Sequence, residues 1–221
     1  MTISKMYGTA VKIILFQGDS VTDCDRSREE TLPNRGLGSG YPMLVAARMT
    51  ADRPADGLAF FNRGVSGNRV VDLYARWKID ALNLRPDVLS ILIGVNDTWH
   101  EFARENGVEV ERYEMVYRML LEWTRRKLPE TKLVLCEPFI LEFEGSAPTT
   151  AWRGEMDRRR EVVRKLSDEF GTVFIPFQKV VSDGAAAAGD PAAILGDGVH
   201  PTLTGHQLLA DAWIAATGKL F

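Results

Sequence analysis

A chain of 221 residues with 45% hydrophobic residues, 26% charged residues and a net charge of −3 has an ordinary globular composition, enough for one domain spanning residues 1–221 with a sizeable core. The slightly acidic balance excludes the basic footprint of a nucleic-acid binder, and no apolar run approaches the ~20 residues that span a bilayer. Cys24 and Cys136 are its only cysteines. They suit a reducing compartment without a disulfide framework, and with His100, His200 and His206 they form no metal-ligand spacing, so neither metal nor cofactor is expected.

In chain order, Lys5 and Lys12 flank an apolar start too short for a secretory h-region, as in a cytoplasmic protein or one whose leader has been removed. Val11 to Phe16 reads as a short buried strand that stops at Gln17-Gly18, followed by a polar loop from Asp23 to Gly40. Pro42 to Met49 reads as a helix, and Leu58 to Phe61 as a second strand closed by Asn62-Arg63-Gly64. Asn68 to Leu84 carries Val70, Leu73, Tyr74, Trp77 and Leu84 at helical spacing. The continuous apolar run Val88 to Ile93 predicts a strand buried on both faces, ending at Gly94-Val95-Asn96-Asp97. A helix over Val110 to Leu128, a strand over Leu133 to Cys136 and an irregular stretch from Ile140 to Ala151 follow. Next come a charged helix from about Gly154 to Phe170, a strand over Thr172 to Ile175, and a helix over Phe177 to Ala188. The last helix, Thr204 to Ala216, opens with a Thr204-x-x-Gln207 capping box. Strands alternating with helices predict an α/β fold: a parallel sheet of about five strands covered on both faces, in a three-layer α/β/α arrangement.

The polar clusters carry the chemistry. Gly18-Asp19-Ser20, Asn62-Arg63-Gly64 and Gly94-Val95-Asn96-Asp97 each follow a strand, and in a parallel sheet those carboxyl ends share one edge. Asp197-Gly198-Val199-His200 occupies the loop before the last helix and can reach the same edge. This is an inventory for acyl transfer. Ser20 supplies a hydroxyl nucleophile, His200 a base for its proton, and Asp197 an acceptor for the other imidazole nitrogen. The backbone N–H groups of Ser20 and Gly64 and the amide of Asn96 would form an oxyanion hole. Each motif alone has a plain alternative as a helix cap or a turn; it is their joint placement after element ends that favours a site.

These residues resemble the SGNH hydrolases, also called GDSL-type esterases, whose four eponymous residues correspond to Ser20, Gly64, Asn96 and His200. Asp197 fits the family's D-x-x-H acid. Val21 stands where the GDSL motif has Leu, and the Gly-x-Ser-x-Gly elbow of α/β-hydrolases is missing. The resemblance covers nearly the whole chain, in segments 18–24, 37–41, 62–68, 93–100 and 196–206, and looks nearest to intracellular acetylxylan esterases. It implies a single flavodoxin-like SGNH domain, cytoplasmic location, removal of O-acetyl groups from xylo-oligosaccharides, and assembly into homo-oligomers, including octamers.

A small-molecule or oligosaccharide ester would be the substrate, with no nucleic-acid or membrane partner. Asp19 and Trp99 are the expected substrate contacts, Trp99 and Trp152 being rings that could stack on a sugar, with packing as the alternative for both. Arg63 and Arg69 are expected to be salt-bridged at the surface, and Cys24 a passive loop residue. The competing readings are a broad short-chain esterase, lysophospholipase or thioesterase of the same superfamily, and a non-catalytic carbohydrate-binding protein.

Overall fold

The computed structural model describes residues 11–221; Lys5 lies outside the described residues. Five parallel strands, β1 Lys12–Gly18, β2 Leu58–Asn62, β3 Val88–Leu92, β4 Lys132–Cys136 and β5 Val173–Ile175, form one sheet in the order β2-β1-β3-β4-β5. The register pairs Phe16 with Asn62, Gly18 with Leu92, and Leu92 with Cys136. The carboxyl ends of the first four strands are therefore level, and whatever follows each one emerges along a common rim. The chain goes from β1 to β2 on one side and returns to β3 on the other. That reversal opens a crevice beyond β1, the usual ligand position in such sheets.

Among the described residues eight α-helices accompany the strands: α1 Ser20–Asp23, α2 Tyr41–Asp52, α3 Val70–Asp80, α4 Val95–Arg104, α5 Val110–Lys127, α6 Thr150–Phe170, and, after β5, α7 Phe177–Ala188 and α8 Leu203–Thr217. Side chains alternate across the sheet. Ile14 and Phe16 join a core with α2, α7 and α8 through Val45, Phe177, Val181 and Trp213, while Leu15 joins a second core with α3, α5 and α6 through Leu73, Trp77, Tyr117 and Val163. Each core buries one indole completely and satisfies its N–H. Trp213 donates to Ser90 Oγ at 3.0 Å and Trp77 to Thr124 Oγ1 at 3.0 Å. Truncating either ring to alanine would remove on the order of 3–5 kcal/mol of stability.

The predicted strands and the long helices agree with the structure to within a few residues, with three differences. The helix expected over Asn68 to Leu84 ends at Asp80 and is followed by a separate 3₁₀ turn at Leu82–Leu84. The last helix is capped by Thr202, whose hydroxyl accepts from the Gly205 N–H at 3.2 Å; Gln207 reaches Asp211 instead of a Thr204 capping box. α4 is absent from the sequence reading although Val95, Trp99 and Phe102 recur at helical spacing; its buried first turn, Asn96, Asp97 and Thr98 after Val95, is polar.

Candidate active site

Ser20 opens the one-turn helix α1 directly beyond β1. The turn closes through Asp23 N–H to Asp19 carbonyl at 2.8 Å and Cys24 N–H to Ser20 carbonyl at 3.0 Å. Asp19 caps it, its Oδ1 accepting the Val21 N–H at 3.1 Å. The Ser20 N–H, at the first helical position, has no intrahelical acceptor.

The second strand ends in Asn62, whose side chain sews the rim together. Its Nδ2 donates to the carbonyls of Thr22 at 2.6 Å and Leu37 at 2.8 Å, and its Oδ1 accepts the Gly64 N–H at 2.9 Å. Beyond β3, Asn96 lies in the first turn of α4 and gives one amide hydrogen to the Asn68 carbonyl at 3.2 Å, keeping a second. Asp97, next to it and fully buried, anchors α4 to the start of α3 by accepting the Val70 N–H at 3.0 and 3.2 Å. Burial pushes its carboxyl up to about 7.

His200 arrives from the loop before α8. Gly196 N–H bonds the His200 carbonyl at 2.9 Å, and Gly198 N–H bonds the Leu195 carbonyl at 3.1 Å. Gly198 turns the chain with φ of +87°, and a Cβ there would stand 2.4 Å from the Leu141 carbonyl oxygen. The irregular stretch after β4 clamps this loop: Leu141 N–H reaches the Gly198 carbonyl at 2.9 Å and Ala147 N–H the Asp197 carbonyl at 2.8 Å.

Within the loop Asp197 Oδ1 accepts the N–H groups of Val199 at 2.9 Å and His200 at 2.7 Å, while Oδ2 faces His200 Nδ1 at 2.7 Å. On the far side of the ring, Nε2 lies 2.9 Å from Ser20 Oγ. A carboxylate at Nδ1 places the imidazole proton there and leaves the Nε2 lone pair for the serine hydroxyl; the tautomer follows from the partners. Burial pushes the Asp197 carboxyl up, but the His200 N–H, the imidazole and the Val199 N–H outweigh it and hold it below its ordinary range. A hydroxyl with its proton aimed at a base, and that base held by an ionised acid, can transfer an acyl group.

Ser20 and His200 open onto a cavity of about 480 Å³ walled by polar side chains, among them Asp23, Arg26, Arg28 and Ser66. Arg28 is paired with Asp23 at 2.8 Å, and Arg26 Nε donates to the Gly64 carbonyl at 2.6 Å.

The structure brings Ser20, Asp197 and His200 into one hydrogen-bonded chain and puts Gly64 and Asn96 on the neighbouring strand ends. Asp19 departs from expectation as a substrate contact. It is 1% exposed and borders a small cavity lined by Leu92, Val95, Pro138 and Phe139, where no sugar reaches it. Burial pushes its carboxyl up to about 7.

Trp152 is also buried, its ring 5.4 Å from that of Trp99 and stacked on Phe102 at 5.9 Å, so packing accounts for it. Trp99 remains partly exposed, with its ring centroid 5.9 Å from the His200 imidazole. Arg69 is paired with Asp72 at 3.0 Å as expected, whereas Arg63 instead lies over the Phe61 ring at 5.9 Å. Cys24 Sγ is 3.4 Å from both His206 Nε2 and Ser39 Oγ. Asn62, named in the sequence only as part of the cluster Asn62-Arg63-Gly64, had no role assigned there, although an amide at a strand end beside Gly64 is the type of residue that can bridge strand termini.

Residues 16–208 match the GDSL-like Lipase/Acylhydrolase family model, and the chain belongs to that family. The sheet order and the two helical layers are those of the SGNH hydrolase fold. Among curated proteins it is 36% identical over 211 residues to an acetylxylan esterase from Geobacillus stearothermophilus, covering 93% of each chain. The crystal structure of that organism's acetylxylan esterase Axe2 superposes with a TM-score of 0.84 at 35% identity, covering 94% of both chains. A candidate GDSL-like lipase from Parabacteroides merdae superposes with a TM-score of 0.90 at 46% identity, covering 95% of this chain and 96% of the other. The protein is a carboxylic ester hydrolase.

Proposed function

We propose that the enzyme removes O-acetyl groups from carbohydrate, with acetylated xylo-oligosaccharides as the substrate class, through an acyl-enzyme on Ser20. The observation that carries the mechanism is the continuous bonding from Ser20 Oγ through His200 to Asp197 at 2.9 and 2.7 Å. As Ser20 Oγ attacks the acetyl carbonyl carbon, its proton passes to His200 Nε2, and Asp197 holds the resulting imidazolium. The negative charge moves onto the former carbonyl oxygen, which the Ser20 N–H, the free amide hydrogen of Asn96 and the Gly64 N–H receive; the last is then shared with Asn62. Collapse breaks the ester C–O bond, and the departing sugar oxygen takes the proton from His200. Water, deprotonated by His200, then attacks the acetyl-serine, and acetate leaves as Ser20 recovers its proton.

The carbohydrate reading is supported by the polar wall of the cavity and by the 36% identity to an acetylxylan esterase. Trp99, half open beside His200, is the ring proposed to meet the sugar. Direct measurement of acetate released from acetylated xylo-oligosaccharides tests the reading; a rate no higher than that of Ser20→Ala would end it. The alternative is a short-chain esterase or lysophospholipase of the same family, marked by octanoyl p-nitrophenyl esters being cleaved better than acetyl ones. Two free thiols, Cys24 and Cys136, suit a cytoplasmic enzyme.

A homo-oligomer is proposed as well. Tyr74 and Ile79 on α3 are 39% and 68% exposed, and Met115 and Met119 on α5 are 55% and 38% exposed. Apolar side chains shown to solvent on neighbouring helices suit contacts with a second copy. A monomeric mass by size exclusion with light scattering would refute this.

A further inference from the structure

Arg76 sits in the middle of α3, where a helical arginine ordinarily points to solvent, yet its side chain is only 16% exposed. Five acceptors stand within reach of its guanidinium, three of them sharing the two Nη1 hydrogens. Nε reaches Asn68 Oδ1 at 2.7 Å, and Nη2 the Gly18 carbonyl at 3.2 Å. Nη1 reaches the Arg63 carbonyl at 2.8 Å, Gln17 Oε1 at 2.9 Å and Asp80 Oδ2 at 3.2 Å.

Three of these contacts lie beside a proposed oxyanion donor. The Arg63 carbonyl and the Gly64 N–H are two ends of the same peptide group. The Gly18 carbonyl belongs to the peptide that leads into Asp19-Ser20. Asn68, gripped through its side chain, accepts from Asn96 Nδ2 through its own carbonyl at 3.2 Å. The rim segments are joined as well by backbone bonds, Arg63 N–H to the Phe16 carbonyl at 2.8 Å and Val65 N–H to the Gly18 carbonyl at 3.0 Å, and by the side chains of Asn62 and Arg26. Three donors come from three strand ends; one planar cation touches two of these segments and reaches the third, Asn96, through Asn68.

We infer that Arg76 is the positioning residue of the oxyanion hole, an assignment that rests on the esterase reading above. Two physical effects act together. The rigid fork of a guanidinium fixes several acceptors at set angles, which the single ammonium of lysine cannot do. A cation on the Arg63 carbonyl also polarises that peptide and makes the Gly64 N–H a stronger donor toward developing negative charge. Asp80 neutralises the guanidinium and shares Nη1 with the Arg63 and Gln17 contacts. Arg76 touches no substrate; it acts through the peptide groups it holds.

The test is steady-state hydrolysis of p-nitrophenyl acetate by wild type, Arg76→Ala and Arg76→Lys, with thermal melts of each. Donors displaced by a fraction of an ångström lower kcat on the order of 10²-fold in Arg76→Ala, while KM, set largely by ground-state contacts, changes less than about threefold. Arg76→Lys recovers less than a tenth of the lost rate, and millimolar ethylguanidinium partly restores Arg76→Ala. A folded Arg76→Ala with kcat within threefold of wild type, or a loss confined to KM, overturns the assignment. So does a lowered melting temperature with kcat intact, which is the signature of a merely structural arginine. Should Arg76→Ala fail to fold, Arg76→Lys is read by the same kcat-against-KM criterion. Wild type inactive on acetyl esters, or Ser20→Ala as active as wild type, would instead sink the esterase reading.

Discussion

Replacing Gly64 by alanine adds one methyl group at a tight point of the rim. A Cβ there would lie 2.4 Å from the backbone nitrogen of Asp23 and 2.8 Å from the carbonyl carbon of Thr22, against the 3.4 Å or more of ordinary contact. Both obstacles are main-chain atoms of α1, so no side chain can swing away. Either the Gly64 turn or the helix bearing Ser20 has to move by about 1 Å. Overpacking of this kind costs about 1–3 kcal/mol of stability, which lowers the midpoint of urea unfolding. The effect on turnover is larger, because a displacement of that size between nucleophile and oxyanion donor lowers kcat about 10²-fold. The assay is p-nitrophenyl acetate hydrolysis under saturation, with urea unfolding on the same preparation. A Gly64→Ala enzyme with unchanged kcat and unchanged midpoint would show that the backbone approach between Gly64 and α1 is looser than described and would refute the reasoning.

Other outcomes follow from the same geometry. Ser20→Ala and His200→Ala should lose kcat to a similar extent, and the double variant should lose little more, because the two act as a unit; additive losses would argue against it. Asp197→Ala is expected to retain more activity than either, seen in the same assay. Asn96→Ala removes a proposed donor and should lower kcat about 10²–10³-fold with KM little changed. For Asp19 the sign is set by its raised folded value of about 7 against an ordinary 3.8. The native state keeps this proton where the unfolded chain has lost it, so between about pH 4 and 7 the group weakens folding by up to ~1.4 kcal/mol per pH unit as pH rises. Asp19→Asn retains an acceptor for the Val21 N–H but does not titrate. Urea unfolding at pH 5 and pH 8 should therefore show a smaller loss of stability in the variant than in wild type, and parallel losses would contradict the buried, protonated carboxyl.

Much of this protein was legible before any coordinate. Runs such as Val88–Leu92 can only be strands covered on both faces, and the spacing of Tyr113, Val116, Tyr117 and Leu120 can only bury one side of a helix. Periodicity reports which face of an element meets apolar neighbours, and that is a local property. It does not report the polar buried turn of α4, where Asp97 takes the α3 backbone as its partner. Nor does it distinguish Asp19, sealed as the cap of α1, from a carboxylate open to substrate.

The amino-acid sequence by itself determined the inventory: a serine after the first strand, a glycine and an asparagine after the next two, and an Asp-x-x-His near the far end. Parallel β-α alternation already implied that strand ends share an edge. Only the tertiary structure decided that Ser20 and His200, 180 positions apart, stand within one hydrogen bond, and that Arg76 turns inward onto the ends of β1 and β2. The reason is physical. Strand and helix follow from short-range sterics and burial, whereas a distance between remote side chains depends on sheet order, register and loop clamps, and no local stretch of chain encodes these alone.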